Sequence, residues 1–341
     1  MKKDIKAFLR RVKTMSFARM EANVKAISRE TGVSKALIRA DMICCAMRSG
    51  VGYLDYRVFG FATNRDKVNR KTYMTMNHNA RLSRAVNDRN AIDVFVDKSK
   101  FNKAFRAYIG RDFLILPEST PQQLADFCRG KASVFAKVTS SFGGQGVEKL
   151  TLSDSTDYPQ LYQRLLSEGK NLVEDTLVQH PEMERLCPNS VNTFRMVTVL
   201  KDGVAHLVYA LVRMGNGKSH TDNISSGGMY ALLDQTGRIS EKAFCDKTSS
   251  YYTSHPVSGV VFHDFVVPYF QEAKALCIQA AQVEPRVGYV GWDVAITPAG
   301  PVLVEGNHLP GYDMCQNSGL NNSKTGALPW FEKILGKDFF A

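Results

Sequence analysis

Two apolar segments near the C-terminus restrict the fold of this chain more than any other feature of the sequence. Residues 289–297 and 301–305 are rich in β-branched and other apolar side chains, and a short turn at residues 298–300 separates them. Two such runs joined by a tight turn predict an antiparallel hairpin. Each predicted strand contains one carboxylate, Asp293 in the first and Glu305 in the second. Pairing across the turn can place the two carboxylates side by side on one face.

Asn307 extends this pair of carboxylates. It follows Glu305 by two residues, so its amide lies on the same face if the strand continues. Carboxylate and amide oxygens are hard ligands that suit Mg²⁺, an ion that also holds nucleotide phosphates. Carboxylates that are merely hydrogen-bonded within a sheet are the alternative, but acidic groups are unusual in strands this apolar. We therefore expect Asp293, Glu305 and Asn307 to bind a metal.

A glycine-rich loop is the second candidate site. It contains Ser141, Gly143, Gly144 and Gly146, and glycine allows backbone amides to approach a phosphate closely. The pattern is neither GxxxxGK[ST] nor GxGxxG, so a P-loop and a Rossmann-type loop are excluded. Lys137 lies on the predicted strand that enters the loop, where an ammonium group is costly to bury without an anionic partner. The combination predicts phosphate binding, although the glycines alone would also suit an ordinary turn.

Arg195 lies within the predicted apolar strand 194–200, and Arg213 directly follows the predicted apolar strand 204–212. Structural salt bridges are one interpretation of such arginines. Close to a metal and phosphates, a strand arginine would instead neutralise charge that develops during phosphoryl transfer. Asn223 lies in a second flexible loop rich in hydrogen-bond donors and is a further candidate for the same site.

The N-terminal region differs from the rest of the chain. Residues 4–48 have the apolar spacing of helices, with lysine and arginine between the apolar positions. The basic face of the first predicted helix could touch a membrane surface or an anionic partner, and a solvated face is the alternative. Residues 49–95 combine aromatic and basic side chains, which we interpret as anchors of a small domain and not as a nucleic-acid site. From residue 94 onward, helical and strand patterns alternate.

Composition limits the class of protein and its compartment. The formal net charge of +11 favours anionic partners in general. No stretch approaches the roughly 20 apolar residues that a membrane helix requires. The seven cysteines show no CxxC spacing, which favours reduced thiols over a disulfide framework or a zinc site. We expect a cytoplasmic protein.

Residues 291–297 and 301–307 resemble the metal-binding end of the ATP-grasp fold. They are most similar to the sugar-transfer-associated ATP-grasp group, which is related to α-L-glutamate ligases. Three further pieces precede them in the order typical of the family. They are Asp97 with Lys98, Lys137 before the glycine-rich loop, and residues 173–177. The resemblance implies an α+β protein in which two α/β lobes clasp ATP, preceded by a helical and basic N-terminal region.

The resemblance also implies a division of the chain and a role for each matching residue. Residues 1–94 would be an accessory region, 95–188 the small lobe and 189–341 the large lobe. In the small lobe, the phosphate contacts would be Lys98, Lys137, Ser141 and the loop glycines. Adenine would be read by Glu174 and the backbone near Leu177, and the ribose by His180 or Glu182. The large lobe would contribute Asp293, Glu305 and Asn307, which would hold one or two Mg²⁺ ions, with Mn²⁺ as a substitute. Arg195 would meet the transferred phosphate or the acyl phosphate, and the predicted catalytic set is Arg195 with Lys137, Arg213 and Asn223.

The function implied by the resemblance is a Mg²⁺- and ATP-dependent carboxylate–amine ligase that forms an acyl phosphate. Its substrates would be small-molecule, glycan or peptide carboxylates and amines, in the biosynthesis of cell-surface polysaccharide or of modified peptides. Two alternatives stay open at this point. One is an ATP-grasp phosphotransferase, and the other is a protein without catalysis that binds polyanions on a degenerate nucleotide fold.

Overall fold

The structure, a computed structural model, describes four segments of the chain, residues 16–141, 145–217, 227–321 and 323–340. The chain divides into two compact units. Unit 1 joins the segment that ends at Ala85 with the segment from Leu309 onward, and unit 2 is formed by Val86–His308. These bounds differ from the expected boundaries at residues 94 and 188. Those boundaries divide the chain into functional lobes, and that division stays a prediction. Among the described residues, no helix combines the length and the apolar character that crossing a bilayer requires.

Unit 1 is helical, as the apolar spacing predicts. Its N-terminal segment forms α1 (Phe17–Thr31), α2 (Lys35–Ser49), α3 (Tyr53–Val58), α4 (Lys67–Lys71) and α5 (Met76–Val86). Two short helices, Ser318–Asn321 and Leu328–Leu335, lie in its C-terminal segment. The Ser34 side chain caps α2 by accepting a hydrogen bond from the backbone N–H of Leu37 at 3.4 Å. Residues 4–15 of the predicted helical region, with its basic face, lie outside the described residues.

Aromatic side chains form the core of unit 1. Tyr56, Phe59, Phe61 and Tyr73 are each at most 1% exposed, and the rings of Phe59 and Tyr73 lie 4.7 Å apart. The C-terminal segment is bonded to these helices through buried polar groups. The Tyr312 hydroxyl donates to Asp55 at 2.9 Å, which is one reason why residues beyond 308 belong to this unit.

Unit 2 contains two antiparallel sheets. The smaller has the order β1-β4-β2-β3, formed by β1 (Phe113–Ile115), β2 (Ser133–Lys137), β3 (Val147–Thr151) and β4 (Leu172–Asp175). Two amphipathic helices, α8 (Pro121–Cys128) and α9 (Tyr158–Ser167), bury Leu124 and Leu165 in the same apolar cluster as Val134 of β2 and Val173 of β4. Each helix has a proline in its first turn behind a capping residue: Pro121 directly follows Thr120, and Pro159 is the second residue after Asp157.

The larger sheet of unit 2 has seven strands in the order β11-β10-β5-β6-β7-β8-β9. The strands are β5 (Thr193–Lys201), β6 (Val204–Met214), β7 (Met229–Leu232), β8 (Ala243–Cys245), β9 (Ser250–Tyr252), β10 (Tyr289–Thr297) and β11 (Gly300–Asn307). The predicted hairpin is confirmed as β10–β11, with Asp293 directly opposite Glu305. Strand β11 continues to Asn307, so the amide does follow Glu305 on the same strand.

Four further α-helices lie in the described part of unit 2. They are α6 (Asp93–Val96), α7 (Lys98–Ala104), α10 (Pro181–Glu184) and α11 (Phe270–Ala280). Helix α11 begins only at Phe270, after Pro268, which disfavours helical backbone in the residue before it. Helix α11 buries Ala273 and Cys277 in the main apolar cluster, which also contains Trp292 of β10.

Candidate functional site

One cavity in unit 2 is lined by residues from both sheets and from α7. Its lining includes six of the residues predicted from the sequence, namely Lys98, Lys137, Ser141, Glu174, Glu305 and Asn307. The cavity holds about 40 Å³, which is room for one or two water molecules. A nucleotide therefore requires the side chains that line this cavity to move apart.

Lys98 enters the cavity from the first turn of α7. Asp97 caps this helix by accepting hydrogen bonds from the backbone N–H groups of Ser99 and Lys100 at 2.8 and 3.1 Å. The Lys98 ammonium group donates to the backbone oxygen of Ser141 at the start of the glycine-rich loop. Burial lowers the pKa of Lys98. A half-buried ammonium group in this position favours a ligand with negative charge.

The glycine-rich loop is described only at its two ends. Gly146 has φ +68, and a Cβ atom there would lie 2.7 Å from the Val138 side chain, so the position requires glycine. The backbone N–H of Val138 donates to the Gly146 oxygen at 3.0 Å, which closes the base of the loop. Gly143 and Gly144 lie outside the described residues, so their predicted phosphate contacts stay predictions.

Glu174 on β4 is the most heavily bonded carboxylate of this cavity. Its Oε1 accepts hydrogen bonds from Asn102 Nδ2 at 2.5 Å and Arg111 Nη2 at 3.1 Å. Its Oε2 accepts from Lys137 Nζ and lies 3.1 Å from Arg111 Nε. Burial alone would raise the pKa of Glu174, but the positive charges of Arg111 and Lys137 outweigh it and hold this pKa well below its usual range.

These partners leave little acceptor capacity on Glu174. A carboxylate offers about four lone-pair positions, and the described donors lie against both of its oxygens. The structure therefore gives the Glu174 side chain a set of partners that the sequence did not predict, and its adenine contact stays a prediction. Asn102 and Arg111 were missed because their local sequence carries no motif. One signal could have pointed to such residues: Glu174 lies in an apolar predicted strand, and a buried carboxylate there needs positively charged or hydrogen-bonding partners.

Asp293 on β10 is held by two arginines. Arg195 Nε lies 2.5 Å from Asp293 Oδ1, and Arg213 Nη2 lies 2.8 Å from Oδ2. Asp293 is 1% exposed. Burial would raise the pKa of Asp293, but the two guanidinium groups outweigh that effect and lower the pKa to about 2. Both arginines thus form the salt bridges that were the alternative interpretation, and their contact with a transferred phosphate stays a prediction.

Glu305 and Asn307 complete the candidate metal site. Asn307 Nδ2 donates to Glu305 Oε1 at 3.4 Å, and Glu305 lies directly opposite Asp293 in the pairing of β10 with β11. Burial raises the pKa of Glu305, and the negative charge of Asp293 raises it further. The described residues contain no cluster of three or more His, Cys, Asp and Glu side chains suited to a metal, so the donor set here is two carboxylates with one amide. That set fits a magnesium ion, since a divalent cation would relieve the repulsion between the carboxylates.

The residues predicted to bind adenine and ribose follow β4. Leu177 is half-buried, and the His180 Nδ1 accepts the backbone N–H of Glu182 at 3.1 Å at the start of α10. Glu182 is exposed and pairs with Arg185 at 2.6 Å. Neither His180 nor Glu182 lines the cavity described above. Their role at the ribose stays a prediction, and Asn223 lies outside the described residues.

Comparison with known proteins identifies the family. The sequence profile described as sugar-transfer associated ATP-grasp matches residues 77–326, and no curated protein matches the chain. The ATP-grasp ligase PsnB, complexed with precursor peptide PsnA2 and AMPPNP, is 13% identical, with a TM-score of 0.41 and coverage of 73% of this chain and 61% of that one.

Two further solved structures are similar to this chain. The D-alanine-D-alanine ligase from Coxiella burnetii is 14% identical, with a TM-score of 0.40 and coverage of 73% and 59%. D-alanyl-alanine synthetase A from Vibrio cholerae O1 biovar eltor str. N16961 is 10% identical, with a TM-score of 0.42 and coverage of 74% and 67%. The chain spans about three fifths of PsnB and of the Coxiella ligase. Because the profile matches well over half of its sequence, the chain belongs to the sugar-transfer associated ATP-grasp family and has the ATP-grasp fold.

Proposed function

We propose that this protein is a Mg²⁺- and ATP-dependent carboxylate–amine ligase. The observation that supports this function best is the single cavity that combines Lys98 and Lys137 with Glu305 and Asn307. The first pair supplies positive charge for phosphates, and the second supplies oxygen ligands for a metal. Membership of the ATP-grasp family agrees with both.

The reaction we propose has two steps. An oxygen of the substrate carboxylate attacks the γ-phosphorus of ATP, the bond to the bridging oxygen breaks, and ADP leaves. The amine then attacks the acyl carbon, inorganic phosphate leaves, and the amine proton passes to solvent. The products are therefore an amide, ADP and phosphate.

The side chains of this site contribute charge and position. Lys98 and Lys137 would bind the phosphates of ATP, and the arginines beside Asp293 would neutralise charge on the transferred group. Magnesium, held by Asp293, Glu305 and Asn307, would supply further neutralisation of the phosphates. Chemistry of this kind depends on orientation and electrostatics, and it requires no nucleophilic side chain. We propose substrates among precursors of cell-surface polysaccharides or modified peptides, on the family's association with sugar transfer.

Thermal unfolding tests the nucleotide site first. The wild-type protein, Glu305→Gln and a matched surface control, Glu168→Gln, are melted with ATP, with Mg²⁺ and with both. A ligand that binds only the folded protein raises the unfolding free energy by about 2.7 kcal/mol at one hundred times its dissociation constant. We expect a rise that needs both ligands, that Glu168→Gln retains and that Glu305→Gln loses.

Product analysis separates the remaining functions. Pools of carboxylates and amines are then screened for ADP release. ADP with inorganic phosphate supports the ligase, whereas ADP with a phosphorylated acceptor and no free phosphate supports a phosphotransferase. No thermal shift at millimolar ATP with Mg²⁺ contradicts the proposal and favours a polyanion-binding protein.

A further inference from the structure

Arg111 is a buried arginine of unit 2 that the proposed chemistry does not use. Its side chain is 2% exposed and lies just before β1. It pairs with both oxygens of Glu174 at 3.1 Å. A charged group buried to this degree costs stability unless its partners are well arranged, so the partners of Arg111 indicate its role.

The same guanidinium group is bonded to the strand that carries Glu305. Its Nη1 donates to the backbone oxygen of Leu303 at 2.7 Å, and its Nη2 lies within hydrogen-bond distance of the Val304 oxygen at 3.2 Å. Arg111 therefore connects β4 of the small sheet with β11 of the large sheet, one and two residues before Glu305. Lysine could supply the charge but not this planar set of donors.

The charges around Glu174 suggest what Arg111 does for Lys137. Two cations, Arg111 and Lys137, share one buried carboxylate. If Lys137 turns toward a phosphate, Glu174 stays paired with Arg111. Without Arg111, Lys137 would be the remaining described cation on a buried carboxylate, and separating the two would be costly.

We propose that Arg111 is a positioning residue that keeps Lys137 available to ATP. It does so by neutralising Glu174 and by fixing that carboxylate against the strand of Glu305. The inference rests on the proposed function, because it requires that Lys137 bind the phosphates of ATP.

A double-mutant cycle on ATP affinity tests this role. The dissociation constant of Mg·ATP is measured by titration calorimetry for wild type, Arg111→Lys, Lys137→Met and the double variant. Arg111→Lys keeps the positive charge but loses the planar set of donors that fixes Glu174 against β11. We expect it to weaken binding about tenfold, and to have almost no further effect once Lys137 is absent. The matched control is Arg106→Lys, an exposed arginine paired with Asp112, which should bind Mg·ATP like wild type.

The possible outcomes separate this inference from the function on which it rests. A wild-type protein that does not bind Mg·ATP contradicts the proposed function. If wild type binds but Arg111→Lys weakens binding equally with and without Lys137, Arg111 acts independently of Lys137 and the inference is wrong. Unchanged binding in Arg111→Lys also overturns it.

A second variant covers the case in which Arg111→Lys does not fold. Asn102→Ala removes a neutral donor from Glu174 Oε1 and leaves the ion pairs of Glu174 with Arg111 and Lys137 intact. Glu174 should then hold Lys137 more strongly, so binding weakens by about two- to threefold, again only when Lys137 is present. Equal weakening without Lys137, or none in its presence, contradicts the inference.

Discussion

Glu174 and Asp293 are both buried carboxylates with two cationic partners, but their surroundings differ. Glu174 has Arg111 and Lys137, and the residues opposite it in the small sheet are Phe113 and Phe135. Asp293 has Arg195 and Arg213, and the residue opposite it on β11 is a second carboxylate, Glu305. The group around Glu174 has two cations and one carboxylate, whereas the group around Asp293 has two cations and two carboxylates.

The difference explains which ligand each group suits. Surplus positive charge around Glu174 favours phosphate, which Lys137 can reach without leaving the carboxylate unpaired. In the second group, Glu305 competes with Asp293 for the arginines, and burial and its neighbour raise its pKa. A divalent cation would relieve that conflict, and Asn307 would add a neutral oxygen. In the proposed site, Glu174 would therefore help to position a lysine, and Asp293 would belong to a metal site.

Neutralising Glu174 should have the largest effect on stability. In Glu174→Gln, Arg111 and Lys137 lose their common carboxylate, and unpaired buried charges typically cost about 3–5 kcal/mol. Chemical denaturation measures the change in the free energy of unfolding. Glu168→Gln, an exposed control, should show no measurable change. A loss as small as that of the control would mean that the Glu174 group is not the stabilising centre described here.

Neutralising Asp293 should cost less than neutralising Glu174. In Asp293→Asn, Glu305 can ionise and take over the two arginines, so we expect a loss of about 1–3 kcal/mol in the same measurement. The double variant with Glu305→Gln should lose more than the sum of the two single changes, since no carboxylate of the pair then remains. Simple additivity would show that Glu305 does not act as the second partner.

The dependence of stability on pH should distinguish Glu305 from the other two carboxylates. Its pKa is raised in the folded protein, so its contribution is present below the unfolded pKa and is lost as pH rises through the folded pKa. The pKa values of Glu174 and Asp293 are lowered, so their contribution is present above the unfolded pKa and is lost as pH falls. Glu305→Gln should therefore gain stability relative to wild type as pH rises, in melts without metal. A constant difference would contradict the raised pKa.

The smallest effect on stability is expected for Lys98. Burial already lowers its pKa, so Lys98→Met removes a charge that the fold accommodates poorly, and it loses the hydrogen bond to Ser141. The two changes oppose each other, and the free energy of unfolding should change by less than about 1 kcal/mol. Mg·ATP binding should nevertheless weaken at least tenfold in calorimetry. Unchanged affinity would remove Lys98 from the proposed phosphate site.

The sequence predicted what local patterns determine. The hairpin, the pairing of Asp293 with Glu305 and the strand that carries Lys137 all follow from apolar runs, turns and alternation, and the structure confirms them. The partners of Glu174 are Asn102 in α7, Arg111 just before β1 and Lys137 in β2. No spacing in the sequence brings these elements together, so Arg111 and Asn102 could not be predicted.

The C-terminal segment shows a second limit of local patterns. Residues from 309 onward form a compact unit with the N-terminal helices, and no local pattern predicted this grouping; their assignment to the large lobe stays a prediction. The contacts responsible, such as the bond from Tyr312 to Asp55, join residues more than 250 positions apart. Separations of this kind leave no trace in hydropathy or charge patterning.

Locating the metal is the most direct test of the difference between the two carboxylates. Crystals grown with Mn²⁺ and a non-hydrolysable ATP analogue reveal the ion by its anomalous scattering. We predict an ion bound directly by Glu305 and Asn307 oxygens, with Glu174 still paired to Arg111. A bound nucleotide with the ion at Glu174, or with none near Glu305, would contradict the account.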